Sequence, residues 1–96
     1  MLGTRAQTLG YLGQIDRAMT DLDRALRIVE AALGPDHTDV AEILVARANV
    51  TYEAGDLAGS IADLERARAI VATNPGPDPG LAAHIEEALD FARNNQ

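Results

Sequence analysis

The chain has no cysteine among its 96 residues, and it has few aromatic and few basic residues. Without cysteine it forms no disulfide, no thiolate nucleophile and no cysteine-based zinc site. Eight Lys and Arg residues against fifteen Asp and Glu residues give a formal charge of −7. Because nucleic-acid binders and proteins that dock on anionic membranes carry basic patches, this balance argues against both kinds of partner.

The sequence also lacks a long apolar run. No segment approaches the roughly eighteen consecutive apolar residues of a membrane-spanning helix. The first ten residues, MLGTRAQTLG, contain one Arg and no sustained apolar stretch, so no signal peptide is expected. We therefore expect a cytoplasmic protein. Its apolar content is 47%, with only 3% aromatic residues, which favours closely packed, alanine-rich helices in one small domain.

The dominant feature of the sequence is an internal repeat of 42 residues. Aligning residues 1–38 with residues 43–80 needs no gap and gives thirteen identical pairs. Unrelated sequences of this composition would share about three or four. The pairs are Leu2/Leu44, Arg5/Arg47, Ala6/Ala48, Gly13/Gly55, Asp21/Asp63, Leu22/Leu64, Arg24/Arg66, Ala25/Ala67, Ile28/Ile70, Val29/Val71, Gly34/Gly76, Pro35/Pro77 and Asp36/Asp78.

Each unit is predicted to contain two helices joined at a glycine. In the first unit, a helix over about 2–12 ends at Gly13 and a second covers about 15–33. In the second unit, a helix over about 37–54 ends at Gly55 and another covers about 57–73, and a final helix is expected at about 79–94. The apolar residues follow helical spacing, and no segment alternates as a strand does, so the prediction is five helices.

The joints between units carry signals that stop and start helices. Gly34 suits the left-handed conformation that ends a helix, and Pro35 cannot continue one. Asp36, Asp56 and Asp78 are the expected N-caps of the helices that follow them.

These features resemble the tetratricopeptide repeat, a helix hairpin with small residues where its helices cross and a glycine between them. The segments RAQTLGYLGQIDRAMTDLDRAL and RANVTYEAGDLAGSIADLERAR show this pattern. The positions that match are Ala6 and Ala48, Gly13 and Gly55, Ala18 and Ser60, Leu22 and Leu64, and Ala25 and Ala67. The 42-residue period, with LGPDHTDVA at the joint, is similar to the longer variant of kinesin light chains and many bacterial regulators.

The resemblance implies an all-α fold, a right-handed superhelical stack of antiparallel helix hairpins in a single domain covering 1–96. Repeat 1 is expected at about 2–35, repeat 2 at about 37–77 and a capping helix at about 79–94. In that last helix, Glu86 and Asp90 stand forty-two residues after Leu44 and Ala48. Acidic residues at these positions suit a terminal helix that has one face in water.

A second departure from the family pattern is arginine at positions 5 and 47, where leucine is usual. Each is followed sixteen residues later by an aspartate, so Arg5 with Asp21 and Arg47 with Asp63 are expected to form one ion pair per repeat. Such a pair contributes about 0–1 kcal/mol if it is exposed.

The resemblance implies a protein-interaction module that binds a peptide or helical partner on the concave face of the stack. Glutamates on this face favour a neutral or basic partner. The positions carried over by register are Gln7, Tyr11, Glu42, Val45, Ala46, Asn49, Tyr52 and Glu53. Two alternatives remain open: the regulatory arm of a bacterial signalling ATPase, and a unit that forms a homodimer through its uncapped N-terminal repeat.

No motif for catalysis or cofactor binding is found. The sequence has no glycine-rich phosphate loop, no nucleophile elbow and no His-Glu-x-x-His pattern, so we expect no enzyme, no cofactor and no metal. His37 beside Asp36 and Asp39 is a weak metal signal, and capping is the better interpretation of these acids. His84 is expected on the surface of the last helix.

Overall fold

The structure, a computed structural model, describes residues 2–74 and 79–94, with side chains for 13–74 and 80–94. It contains α1 (Leu2–Leu33), α2 (Thr38–Glu53), α3 (Leu57–Thr73) and α4 (Pro79–Asn94). Within these two ranges there is no strand, so the predicted all-α fold is confirmed. None of the described helices is both long and apolar enough to cross a membrane.

The helices stack in chain order, as expected of helical repeats. Each packs against its successor, and α4 also touches α2. Short turns join α1 to α2 and α2 to α3, so these neighbours run antiparallel. The core lies between α2, α3 and α4, where Leu44, Leu64, Ile85 and Leu89 are at most 2% exposed.

The hairpin of repeat 2 forms as predicted. Gly55 follows the end of α2 with a φ of 89°, a left-handed conformation that glycine adopts without strain. The Asp56 side chain then caps α3 by accepting a hydrogen bond of 2.9 Å from the Gly59 backbone N–H. A Cβ at position 59 would overlap the Asp56 carboxylate, so this cap relies on the second glycine as well.

The predicted break at Gly13 is wrong, because α1 runs through it as one helix of 32 residues. The reason lies in the residues after the glycine. The positions equivalent to Asp56 and Gly59 hold Gln14 and Arg17, which supply neither a short capping oxygen nor the space beside it. A glycine in a helix interior costs only about 1 kcal/mol, so the helix continues. The described residues therefore form four helices, where five were predicted.

The two equivalent glycines are expected to respond to alanine in opposite ways. Gly55→Ala should lower the free energy of unfolding by about 1–2 kcal/mol, because alanine is strained at a φ of 89°. Gly13→Ala should raise it by about 0.5–1 kcal/mol, because Gly13 is helical and an added Cβ meets no atom within 4 Å. Urea unfolding followed by circular dichroism measures both, and similar losses in both variants would place Gly13 at a bend.

The joint before α2 is capped by a different residue from the one predicted. Gly34 has the expected left-handed conformation, with a φ of 97°. The N-cap, however, is His37, whose Nδ1 accepts a hydrogen bond of 3.0 Å from the Asp39 backbone N–H. Asp36 lies one residue too early to cap α2, so its prediction as the N-cap is wrong. The predicted cap Asp78 lies outside the described residues.

The last helix keeps the burial pattern of α2 but is displaced by one residue. Three of its residues, each forty-one positions after a buried residue of α2, are buried. The pairs are Ile85 with Leu44, Leu89 with Ala48, and Ala92 with Thr51. Glu86 and Asp90 are exposed, as expected of a helix with one wet face. The displacement explains their exposure, because it gives the core positions of α4 to Ile85, Leu89 and Ala92 and leaves the two acids outside the core.

Candidate functional site

The exposed side of α2 presents a row of polar side chains. Glu42, Asn49 and Glu53 are exposed and Ala46 is half-buried between them. They recur at intervals of three and four residues, which places them on one helix face. The opposite face is fixed in the core, with Val40, Ala41 and Leu44 fully buried. The row is therefore held rigidly toward solvent.

Two of the predicted contact residues occupy different environments from the rest of this row. Val45 is only 7% exposed and belongs to the core, so it supports the face from beneath. Tyr52 is half-buried at the edge of the row, where its ring meets α4. The side chain of Asn49 forms no hydrogen bond with the rest of the described residues, which leaves its amide available for a ligand.

An aromatic pair forms the border between α2 and α4. The ring centroids of Tyr52 and Phe91 are 5.6 Å apart, and the ring planes are tilted by 47°. Phe91 is 58% exposed, as Ile28 of α1 also is. Sequence reasoning missed Phe91 because it lies off the buried stripe of α4. The signal that could have identified it was an aromatic residue away from the buried stripe, in a chain that has only one phenylalanine and two tyrosines.

The structure does not bring positions 7 and 11 beside the α2 row. Asp23 of α1 contacts Arg47 of α2, and α2 extends only to Glu53, about 9 Å further along its axis. In the antiparallel α1, residue 7 lies about 24 Å and residue 11 about 18 Å from Asp23 along the helix. Both positions are therefore beyond the end of α2. The side chains of Gln7 and Tyr11 lie outside the described residues.

An arginine clamp holds α2 in place behind the exposed row. Arg47 donates two hydrogen bonds to Asp63 of α3, at 2.9 and 2.7 Å, and one of 2.9 Å to Asp23 of α1. The predicted Arg47–Asp63 ion pair is thus confirmed, and Asp23 is a third member that sequence reasoning missed. The hydrogen bond to Asp63 raises the pKa of Arg47 further above its ordinary value, despite the opposing effect of burial. The arginine of the clamp is therefore charged at any working pH.

The other predicted ion pair, Arg5 with Asp21, involves a side chain outside the described residues. The backbone of α1 separates residues 5 and 21 by about 24 Å along one continuous helix, because sixteen residues rise by that distance. This separation is beyond the reach of an ion pair within one chain, so the prediction for repeat 1 is wrong. The cause is the missing bend at Gly13.

The comparison with known families agrees with this architecture. A family model described as Tetratricopeptide repeat matches residues 1–73, which include α1, α2 and α3. The chain matches none of the curated proteins and none of the solved structures with which it was compared. Repeats of the matched family are generally non-catalytic scaffold modules for protein–protein interaction. Since the match covers most of its length, the chain belongs to the tetratricopeptide repeat family.

Proposed function

We propose that the exposed face of α2, with its border on α4, binds a peptide or helical segment of a partner protein. The observation that carries this proposal is the exposed row of Glu42, Asn49 and Glu53 on a helix that is clamped from behind. A rigid row limits the entropy lost on binding, because its backbone is already ordered. The family's general role in protein–protein interaction supports the same conclusion.

The charge of this face indicates the kind of partner. Glu42 and Glu53 lie on α2, and Glu87 and Asp90 are exposed on α4. The arginine of α2 is engaged in the clamp, and Arg93 of α4 lies 3.8 Å from Glu65. With a net charge of −7 on the chain, a neutral or basic segment is attracted and an acidic one is repelled.

The proposal is tested by blocking the row without disturbing the core. Asn49→Arg places a long cation on the exposed face, and we expect it to lower partner capture by the purified chain at least about tenfold. The matched control is Ala69→Arg, which introduces the same side chain at an exposed position of α3. Pull-down with quantitative mass spectrometry measures both variants.

The outcomes of this experiment separate clearly. Loss of the same partners in both variants would indicate an effect of charge alone and would count against the α2 face. Retention of every partner by a folded Asn49→Arg chain, checked by circular dichroism, would also overturn the proposal. Loss in the Asn49 variant alone supports it.

A further inference from the structure

The described arginines of α1 differ from those of the other helices. In α2, α3 and α4 each arginine forms an ion pair with an acidic side chain, and these residues are Arg47, Arg66, Arg68 and Arg93. Arg17, Arg24 and Arg27 of α1 are exposed and form no ion pair or hydrogen bond with the rest of the described residues. Three unpaired arginines on one helix are unexpected in a chain with fifteen acidic residues.

The outer side of α1 keeps an excess of positive charge. Asp23 and Glu30 lie within one helical turn of Arg27, but arginines of α2 and α3 engage them. Asp16 and Asp21 are the other acids of this stretch, and they leave the three arginines in excess. This side of α1 is therefore suited to an acidic partner.

Helix α4, at the opposite end of the stack, presents acids of the same kind. Glu87 and Asp90 are exposed and form no ion pair or hydrogen bond with the rest of the described residues. Ile85 and Leu89, which are buried, hold the other side of α4 in the core. In the described part of the chain α1 and α4 do not contact each other, so these opposite charges cannot meet within one copy.

The spacing of the two exposed stripes is complementary. On α1 an exposed alanine follows the second arginine by four residues, and on α4 an exposed alanine precedes the first acid by four. When the helices are antiparallel, both charged pairs and the two alanines face each other at intervals of three and four residues, along one helix face. The pairs are Arg24 with Asp90, Arg27 with Glu87, and Ala31 with Ala83.

We propose that the chain associates with a second copy of itself head to tail, with α4 of one copy packed antiparallel on α1 of the next. The arginines bind the carboxylates, and the small alanines let the two helices approach closely. The contact joins two different surfaces, so it adds copies in an open series. It goes beyond the proposed partner binding and does not involve the exposed row of α2.

The association is measured by sedimentation equilibrium and light scattering on the native chain. Between about 10 µM and about 1 mM, the weight-average mass should rise steadily above the 10.2 kDa of one copy. Exposed ion pairs are weak and are screened by salt. Raising the salt concentration from about 0.05 M to about 0.5 M should therefore weaken the association at least about fivefold.

A charge swap tests the pairing itself. Arg24→Glu with Arg27→Glu gives one variant, and Glu87→Arg with Asp90→Arg gives another. Each variant alone brings like charges together and should associate at least about tenfold more weakly than the native chain. Mixed in equal amounts, the two restore opposite charges at every contact and should associate about as strongly as the native chain. Both variants keep a negative net charge, so general attraction between them cannot produce this recovery.

The matched control is Arg17→Glu, which reverses an exposed, unpaired arginine of the same helix outside the paired stretch. It should weaken association less than about twofold, whereas Arg27→Glu alone should weaken it about fivefold. Circular dichroism checks that each variant folds. The inference is overturned if the native mass stays at 10.2 kDa throughout, or if the mixed variants remain monomeric. A mass that levels off at two copies would indicate a closed dimer and would overturn it as well.

Discussion

Ile70→Ala is expected to lower the free energy of unfolding by about 3 kcal/mol, whereas Ile28→Ala should change it by less than about 0.5 kcal/mol. The two isoleucines occupy equivalent positions of the repeat, yet Ile70 is 3% exposed and Ile28 is 58% exposed. Removing a buried isoleucine leaves a cavity in addition to the lost burial of the side chain. The same truncation at the surface leaves no cavity and removes little buried surface.

The difference arises from the neighbours of the two helices. Helix α3 packs between α2 and α4, whereas α1 packs mainly against α2. Urea denaturation gives the two free energies of unfolding. In thermal unfolding, the Tm of Ile70→Ala should lie about 15 °C below that of the native chain. Equal losses would show that Ile28 is covered in solution, as it would be if the first hairpin closed at Gly13.

Breaking the arginine clamp has the second largest expected effect. Arg47→Leu should cost about 2–3 kcal/mol, because it leaves the Asp63 carboxylate, whose side chain is 12% exposed, without its two hydrogen-bond donors. Asp23, at 48% exposed, can be solvated and contributes less. Leucine is the residue that the resemblance to the family led us to expect at this position, so the side chain itself is compatible with the fold.

The paired substitution tests this explanation. Arg47→Leu combined with Asp63→Ala should recover most of the loss, because the only carboxylate left without its arginine is the half-exposed Asp23, which water solvates. A double-mutant cycle in urea should give a coupling energy of about 2 kcal/mol. The control is Arg68→Ala, whose bridge to Glu86 joins two half-exposed side chains and should be worth about 0–1 kcal/mol. A coupling below about 0.5 kcal/mol would mean that the clamp adds no more than a surface pair.

The repeat alignment predicted the second hairpin correctly and the first one incorrectly. The residues that follow the two glycines explain the difference. Gly13 and Gly55 are equivalent, so the alignment gave them the same role. A turn needs more than its glycine, however. Asp56 supplies the capping oxygen of the second hairpin, and the first has Gln14 at that position. A prediction that required a capping residue as well as the glycine would have placed a turn at Gly55 and none at Gly13.

Contacts between units were harder to predict, because a repeat describes one unit at a time. The sixteen-residue spacing predicted Arg47 with Asp63, since both lie in one hairpin. Asp23 belongs to the preceding unit, and only the packing of α1 on α2 brings it to Arg47. Phe91 reaches Tyr52 for a similar reason, because it lies on α4, outside the second repeat, and only the packing of α4 on α2 brings the two rings together.

The sequence by itself determined the all-α class, the extents of α2, α3 and α4 to within a few residues, and the family, because helical periodicity and the 42-residue repeat are local and additive signals. The tertiary structure decided which side chains of α2 remain exposed, which ion pairs close, and where the aromatic ring of α4 lies. These depend on how helices distant in sequence are oriented against one another, and small changes in cap or register alter that orientation without changing the helical pattern.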